Sequence, residues 1–294
     1  MAAYAPRVGA AGSWRSLGQT FDDVAEAYDE VRPSYPAELV DAALARGGLG
    51  AGARVLEVGC GTGKLTELLV ARGLRIDAVD PGPNMIRAAQ RRVGENAGVR
   101  FHVGRFEDVN LPEEAFAALF SATAFHWVEP AVGWRRAASH LEPGGLLALL
   151  THAGIRNEQS HEAFESFRAV IRKYAPDAAE FMRPERDLQT ILTGVEERRG
   201  NASEAWDWVM GEQHDLAVAD AAGLFANVDV EARVETVERT ADELTAHFRT
   251  TSLYFRIDPA RRAAFEEDDR RHIERLGGTL LLSQAAVLMT ARRA

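Results

Sequence analysis

The densest run of residues able to do chemistry is Glu57-Val58-Gly59-Cys60-Gly61-Thr62-Gly63, with Asp80 ending the next apolar run. Glycines let a ligand lie against bare backbone, and a helix opening just beyond them offers unpaired N–H groups. A carboxylate at the end of an apolar strand is costly unless something polar meets it. Such a turn suits a nucleotide-type ligand, and the spacing separates the candidates. A P-loop needs a glycine five positions before its Gly-Lys pair and Ser or Thr after the lysine. Val58 and Leu65 stand at those positions. A dinucleotide fingerprint, G-x-G-x-x-G, is met at Gly59 and Gly61, but Lys64 fills the third glycine position.

The pattern Glu57-x-Gly59-x-Gly61-x-Gly63, with its acidic lead and Asp80 one strand later, resembles motif I of the class I S-adenosylmethionine-dependent methyltransferases. In that family the residue at the position of Asp80 hydrogen-bonds both ribose hydroxyls, and a vicinal diol offers two donors to one carboxylate. The resemblance implies a cofactor site built from Glu57, Gly59, Gly61, Thr62 and Gly63, then Asp80 and Pro81. It extends to Met85, which would pack on one face of the adenine, and to Arg105-Phe106-Glu107-Asp108. Phe106 would cover the ring there, with Glu107 or Asp108 near its edge. Ser121 would end the fourth strand beside the reacting centre. Leu141-Glu142-Pro143-Gly144-Gly145 looks like the turn before the family's fifth strand. Phe21-x-x-x-Ala25-x-x-Tyr28-x-x-x-Arg32-Pro33-x-Tyr35-Pro36 is similar to the leading helix of trans-aconitate and ubiquinone-type methyltransferases.

Methyl transfer from a sulfonium asks the protein for orientation and a dry pocket, and for a base only if the acceptor arrives protonated. His126, in Ala124-Phe125-His126-Trp127, is the candidate base or acceptor contact; the competing reading is a loop histidine that positions Trp127. Tyr28, Arg32, Tyr35, Trp127 and His152 are candidates for the acceptor pocket. A guanidinium fork at Arg32 suits a carboxylate, though a helix-terminal arginine before Pro33 explains it equally well. Trp206 and Trp208 fit either an aromatic pocket or the packing of a cap. No H-E-x-x-H or paired C-x-x-C spacing suggests a metal, and no G-x-S-x-G turn suggests a serine hydrolase. Two other classes remain beside a small-molecule methyltransferase. One is an NAD-dependent oxidoreductase; the other is a non-catalytic cofactor-binding protein.

These residues need strands that end together. Short apolar runs at 54–58, 75–80, 99–103, 115–121 and 146–151 alternate with helical stretches at 64–71, 81–93 and 132–141. Asn84 is the expected N-cap of the second helix. That alternation predicts an α/β, Rossmann-like, doubly wound and mostly parallel seven-stranded sheet. Residues 156–224 read as a helical cap insertion, 228–237 and 285–291 as the closing strands, and 241–252 and 259–276 as helices. The expected division is therefore a core of 20–155 and 225–294, a cap of 156–224, and a flexible tail of 1–19.

At 294 residues, 46% hydrophobic and 27% charged, the chain can bury a full core. Its net charge of −10 argues against nucleic acid, which needs a concentrated basic face. The segment 1–12 has no basic start or apolar stretch of a signal peptide, and no run is long enough to span a bilayer. The single Cys60 fits a reducing compartment, as a small residue filling a tight turn. The expectation is a cytoplasmic protein, monomer or homodimer, acting on a small molecule.

Overall fold

The computed structural model describes residues 20–156, 161–179, 182, 185–212 and 216–294, so the expected tail of 1–19 lies outside the described residues. Five apolar runs form the parallel strands β1 (Arg54–Val58), β2 (Arg75–Asp80), β3 (Val99–Val103), β4 (Phe116–Ala122) and β5 (Leu141–Gly154). β6 (Phe225–Thr240) and β7 (Thr279–Arg293) complete a seven-stranded sheet of order β3-β2-β1-β4-β5-β7-β6. β7 is antiparallel to both of its neighbours. Strand order reverses between β1 and β4, where open α/β sheets leave a crevice at the carboxyl ends of their strands.

The central strands are buried on both faces, which explains their unbroken apolar composition. In β4, Leu119 faces one core cluster, with Trp134 and Trp206, while Ala118 and Phe120 face the other, with Leu39, Leu65 and Ile86. Helices α1 (Ala25–Val31), α2 (Ala37–Gly47), α3 (Lys64–Val70), α4 (Pro83–Val93) and α5 (Pro130–His140) belong to the first half. After β5 come α6 (His161–Tyr174), α7 (Pro176–Ala179), α8 (Leu188–Glu197) and α9 (Ala202–Val209). Between β6 and β7 lie α10 (Ala241–Phe248), α11 (Ser252–Phe255) and α12 (Arg262–Arg275). α6, α10 and α12 share a third apolar cluster around Ile171, Phe248 and Phe265. α8 and α9 instead join the sheet's own core through Ile191, Val195 and Trp206. Among the described residues no helix is long and apolar enough to cross a membrane.

Three local expectations differ from the structure. Asn84 does not cap α4: Pro83 opens that helix, at a position that needs no N–H, and Gly82 is the N-cap residue. The capping oxygen comes from Asp22, whose Oδ1 accepts the amides of Asn84 (2.7 Å) and Met85 (3.1 Å). Pro143-Gly144-Gly145 is not a turn preceding the fifth strand but a bulge within β5. Partners Phe116↔Leu141 and Ala118↔Leu146 bracket it, and Gly144 takes a φ of +73°. β6 and β7 also run well past 228–237 and 285–291, because they pair with each other as a ribbon down to Thr240↔Thr279. One face of such a ribbon meets water, so polar residues there blur the apolar alternation that marks a strand.

Candidate functional site

Sheet register brings the chemistry together. Val58 pairs with Val79 and Ala122 with Leu150, so the glycine turn, Asp80, Thr123 and His152 emerge on one edge of the sheet. Beyond β1 the chain folds across β2, with the amides of Gly59 and Cys60 donating to the Val79 carbonyl at 2.8 and 3.1 Å. The Gly61 amide donates to Asp80 Oδ2 (2.9 Å) and the Gly82 amide to Asp80 Oδ1 (2.8 Å). Each carboxylate oxygen has one partner and retains a second lone pair. The turn borders a cavity of about 730 Å³ also lined by Thr62, Pro81 and Met85.

The glycines serve different ends. Gly61 has a φ of +54°, and a Cβ there would meet nothing within 4 Å. Gly63 does not line the cavity: at φ +84° it is the N-cap of α3, and a Cβ would lie 2.9 Å from Ala89 Cα on α4. Gly63→Ala is therefore expected to lose about 2–4 kcal/mol of stability through strain and a backbone clash. Gly61→Ala should lose only about 1–2 kcal/mol, from the φ alone. Urea unfolding of both variants checks this, and equal losses would contradict it.

Two buried carboxyls face this cleft. Burial pushes Asp80 up to about 6, against the pull of the Gly82 and Gly61 amides. Burial likewise pushes Glu57 up to about 8. Glu57 is 1% exposed, lines the cavity, and its Oε2 has no hydrogen-bond partner. Cys60, also buried, has its thiol pushed well up by desolvation and stays protonated.

Opposite the turn, Met85, Arg105, Phe106 and Glu107 line the cavity; Asp108 does not. Glu107 Oε1 accepts from Arg105 Nη2 (2.8 Å) and from the Glu129 amide (2.9 Å). Burial would raise this carboxyl, but those donors outweigh it and hold it below the usual range. Ser121 is buried outside the cavity lining, donating to the Val58 carbonyl at 2.7 Å. Its hydroxyl ties β4 to β1 rather than facing the cleft.

The cleft's other end gathers the candidates for the acceptor pocket. A single helical turn at Phe125–Trp127 presents His126 and Trp127. Tyr28, Arg32 and Tyr35 arrive from the N-terminal segment and His152 from β5. Tyr35 stacks on His152 (4.9 Å between centroids), and its hydroxyl shares a hydrogen bond with Thr123 Oγ1 (2.8 Å). Burial holds His152 down to about 4, so the ring is neutral near pH 7. Arg32 lies over the Tyr28 ring and donates through Nε and Nη2 to Thr250 Oγ1 and the Thr250 carbonyl. Trp206 and Trp208 are elsewhere: Trp206 is fully buried, and Trp208 lies between Arg186 and Arg198.

Sequence reasoning missed Asp22, Phe21, Thr123, Met210, Thr251 and Ser252, all of which line the cavity. Thr123 had a signal only in its place one residue past a strand; its φ of +51° is strain of a kind that collects at functional sites. Phe21 opens the N-terminal pattern without having been assigned a role there, and the others come from distant segments with no motif.

Residues 55–145 match the family described as a methyltransferase domain. That stretch of the chain is similar to a methyltransferase domain. An uncharacterized methyltransferase of Mycobacterium tuberculosis is 38% identical over 138 residues, covering 47% of this chain and 54% of its own. The chain thus spans about half the length of these curated relatives. A malonyl-[acyl-carrier protein] O-methyltransferase of a Paenibacillus species is 32% identical over 195 residues, covering 62% of this chain and 63% of its own. A solved structure described as a type II methyltransferase from Anaeromyxobacter dehalogenans shares the fold. Its TM-score is 0.57 at 20% identity, covering 89% of this chain and 97% of that one. Glu57, the glycine turn, Asp80 and Phe106 all fall inside the methyltransferase domain, whereas Tyr28, Arg32, Tyr35 and His152 lie outside the matched segment.

Proposed function

We propose that the chain transfers a methyl group from S-adenosylmethionine to a small-molecule acceptor bearing an anionic group. The reading rests on one juxtaposition. Glu57 holds a buried, partnerless carboxylate oxygen at one side of the glycine turn, and Asp80 presents two half-used oxygens at the other. A ligand with a cation at one end and a vicinal diol at the other satisfies both. A dinucleotide would set its anionic pyrophosphate on this turn, beside Glu57, and offers that carboxyl no cation.

Bound S-adenosylmethionine supplies a methyl on a cationic sulfur, which moves by in-line displacement. Asp80 would hold the ribose hydroxyls and Glu57 the cationic end. Met85 and Phe106 would flank the adenine, with Thr62, Pro81, Arg105 and Glu107 around its rim. At the other end Tyr28, Tyr35, Trp127 and His152 exclude water and orient the acceptor, an effect worth roughly 7–11 kcal/mol in favourable cases. Arg32 commits Nε and Nη2 to Thr250, leaving Nη1 for an anionic group. A carboxylate acceptor arrives deprotonated and needs no base; for a hydroxyl, His126, which lines the cavity, would take the proton. The relative named as a malonyl-[acyl-carrier protein] O-methyltransferase is named for an oxygen acceptor, which favours the same side.

Calorimetry with S-adenosylhomocysteine, then mass-spectrometric detection of methyl transfer to panels of small carboxylates, phenols and amines, tests the proposal. Binding in the micromolar range and methylation confined to the carboxylates are expected. No heat at millimolar ligand would overturn the reading of the cleft, and methylation of amines alone would overturn the choice of acceptor.

A further inference from the structure

The lysine that breaks the dinucleotide fingerprint has a use that the reading above does not absorb. Lys64 opens α3, directly after Gly63, lines the cavity and reaches the end of α1. Its Nζ donates to the Asp29 carbonyl at 2.8 Å and lies 3.6 Å from the Asp29 carboxylate. Arg92, on α4, donates to the same carboxylate at 2.6 Å, and its Nη1 holds Glu67 of α3 at 3.0 Å. Arg92 Nε also donates to the Thr62 carbonyl, inside the glycine turn, at 3.1 Å. One carboxylate of α1 is thus gripped by two cations from the two helices that flank the cofactor end of the cleft.

What α1 carries explains why the grip matters. The segment 21–35 lays Phe21, Asp22, Tyr28, Arg32 and Tyr35 along one wall of the cavity. Phe21 packs edge-on against Tyr28, Trp127 and Phe255 (centroids 5.6–5.9 Å), so this segment meets the opposite wall over the cleft. Pro33 and Pro36 stiffen its far end, where it leads into α2. This strap therefore forms part of the cleft wall. Its other polar ties include Asp22 to the Asn84 and Met85 amides, Arg32 to Thr250, Tyr35 to Thr123 and an exposed Glu26–Arg91 pair.

We propose that Asp29, Lys64 and Arg92 are positioning residues forming an ionic latch that holds the strap 21–35 over the cleft and sets how fast the demethylated cofactor leaves. The proposal rests on the cofactor reading above. The latch is electrostatic where most of the strap is aromatic or backbone-bonded, the exposed Glu26–Arg91 contact at 3.9 Å aside, so added salt weakens the latch most. Asp29 and Arg92 are a quarter to a third exposed, which leaves them open to screening.

Stopped-flow tryptophan fluorescence on the full chain, with S-adenosylhomocysteine as probe, reads the release rate. Asp29→Asn is expected to speed release roughly five- to tenfold. Wild-type release should quicken as salt rises from about 0.05 to about 0.5 M, with Asp29→Asn showing little further response. Arg92→Lys, which keeps the charge but cannot bridge Asp29, Glu67 and the Thr62 carbonyl at once, should fall between wild type and Asp29→Asn. Amide exchange in apo protein supplies a ligand-independent reading: Asp29→Asn should expose the amides of α1 while those of α2 and β1 keep their protection. Wild-type release rates and salt response in Asp29→Asn, with unchanged exchange in α1, would overturn the latch. A wild-type chain that binds no S-adenosylhomocysteine would overturn the cofactor reading instead, and the exchange of α1 would still decide whether the latch exists.

Discussion

Asp80→Ala is expected to weaken binding of S-adenosylhomocysteine at least a hundredfold. The carboxylate is the point where the glycine turn and the start of α4 meet, each donating one backbone amide to it. Two further charge-assisted bonds to a ribose diol, at about 1.5–3 kcal/mol each, account for a loss of that size. Removing the side chain also leaves the Gly61 and Gly82 amides without acceptors. Asp80→Asn separates the two effects, since one amide oxygen can still accept while the NH₂ faces a donor. It should fall between wild type and Asp80→Ala. Titration calorimetry, with circular dichroism to confirm folding, measures both. A dissociation constant within threefold of wild type for Asp80→Ala would remove Asp80 from the site.

The second large effect concerns Glu57. Burial lifts its carboxyl from the ordinary 4.5 to about 8 in the folded chain. Between those values the folded chain keeps a proton that the unfolded chain has lost, so this group's contribution to stability declines as pH rises from about 4.5 to about 8. Asp80, lifted from 3.8 to about 6, adds a decline in the same direction at lower pH. His152 and His247, both held down to about 4 by burial, act oppositely below pH 6.5. Comparison with Glu57→Gln isolates the first term. The melting temperature of the apo variant should exceed that of wild type at pH 8 by on the order of 5 °C, and match it near pH 5.

A ligand cation placed against Glu57 favours its ionised form, so wild-type binding at pH 7 should release a proton and Glu57→Gln binding should not. Calorimetry in buffers of different ionisation enthalpy reads this directly. Glu57→Gln should also weaken binding roughly ten- to hundredfold. A greater loss for S-adenosylmethionine than for its neutral-sulfur product would place the sulfonium, rather than the amine, nearest the carboxylate. Parallel melting curves across pH 5 to 8 for the two proteins would be incompatible with a buried, titrating Glu57.

The half of the cleft proposed for the cofactor was readable in the sequence because its parts are local. Glu57 to Gly63 is one turn, Asp80 ends the adjacent strand, and Phe106 and Glu107 follow the strand after that. Gly63 and Ser121 show the limit of such pattern reading. Both belong to the pattern, yet the structure gives Gly63 to helix packing and Ser121 to a strand-to-strand hydrogen bond. The acceptor half was much less readable, since its wall is assembled from the N-terminal strap, β4, α9's end and α11. Met210, Thr251 and Ser252 meet there only through tertiary packing, and no spacing records it. Asp22 is the clearest case: its helix-capping role depends on an amide pair some sixty residues away, so local spacing pointed to Asn84 instead.

The order of the last strands bears on how the molecule assembles. Among the described strands β6 is an edge strand paired with β7 alone, and β7 is what joins it to β5. On the ribosome β6 emerges first and must wait while α10, α11 and α12 are made. Until β7 arrives, β5 and β6 are both open edges, with the apolar face of the unfinished sheet exposed between them. The Rossmann-like half can collapse early around its local βα units, whereas closing the sheet is a late, long-range step. Aggregation during expression is then a hazard of the interval between these two strands, and changes in α10 to α12 that lengthen it would lower yield without touching the cleft.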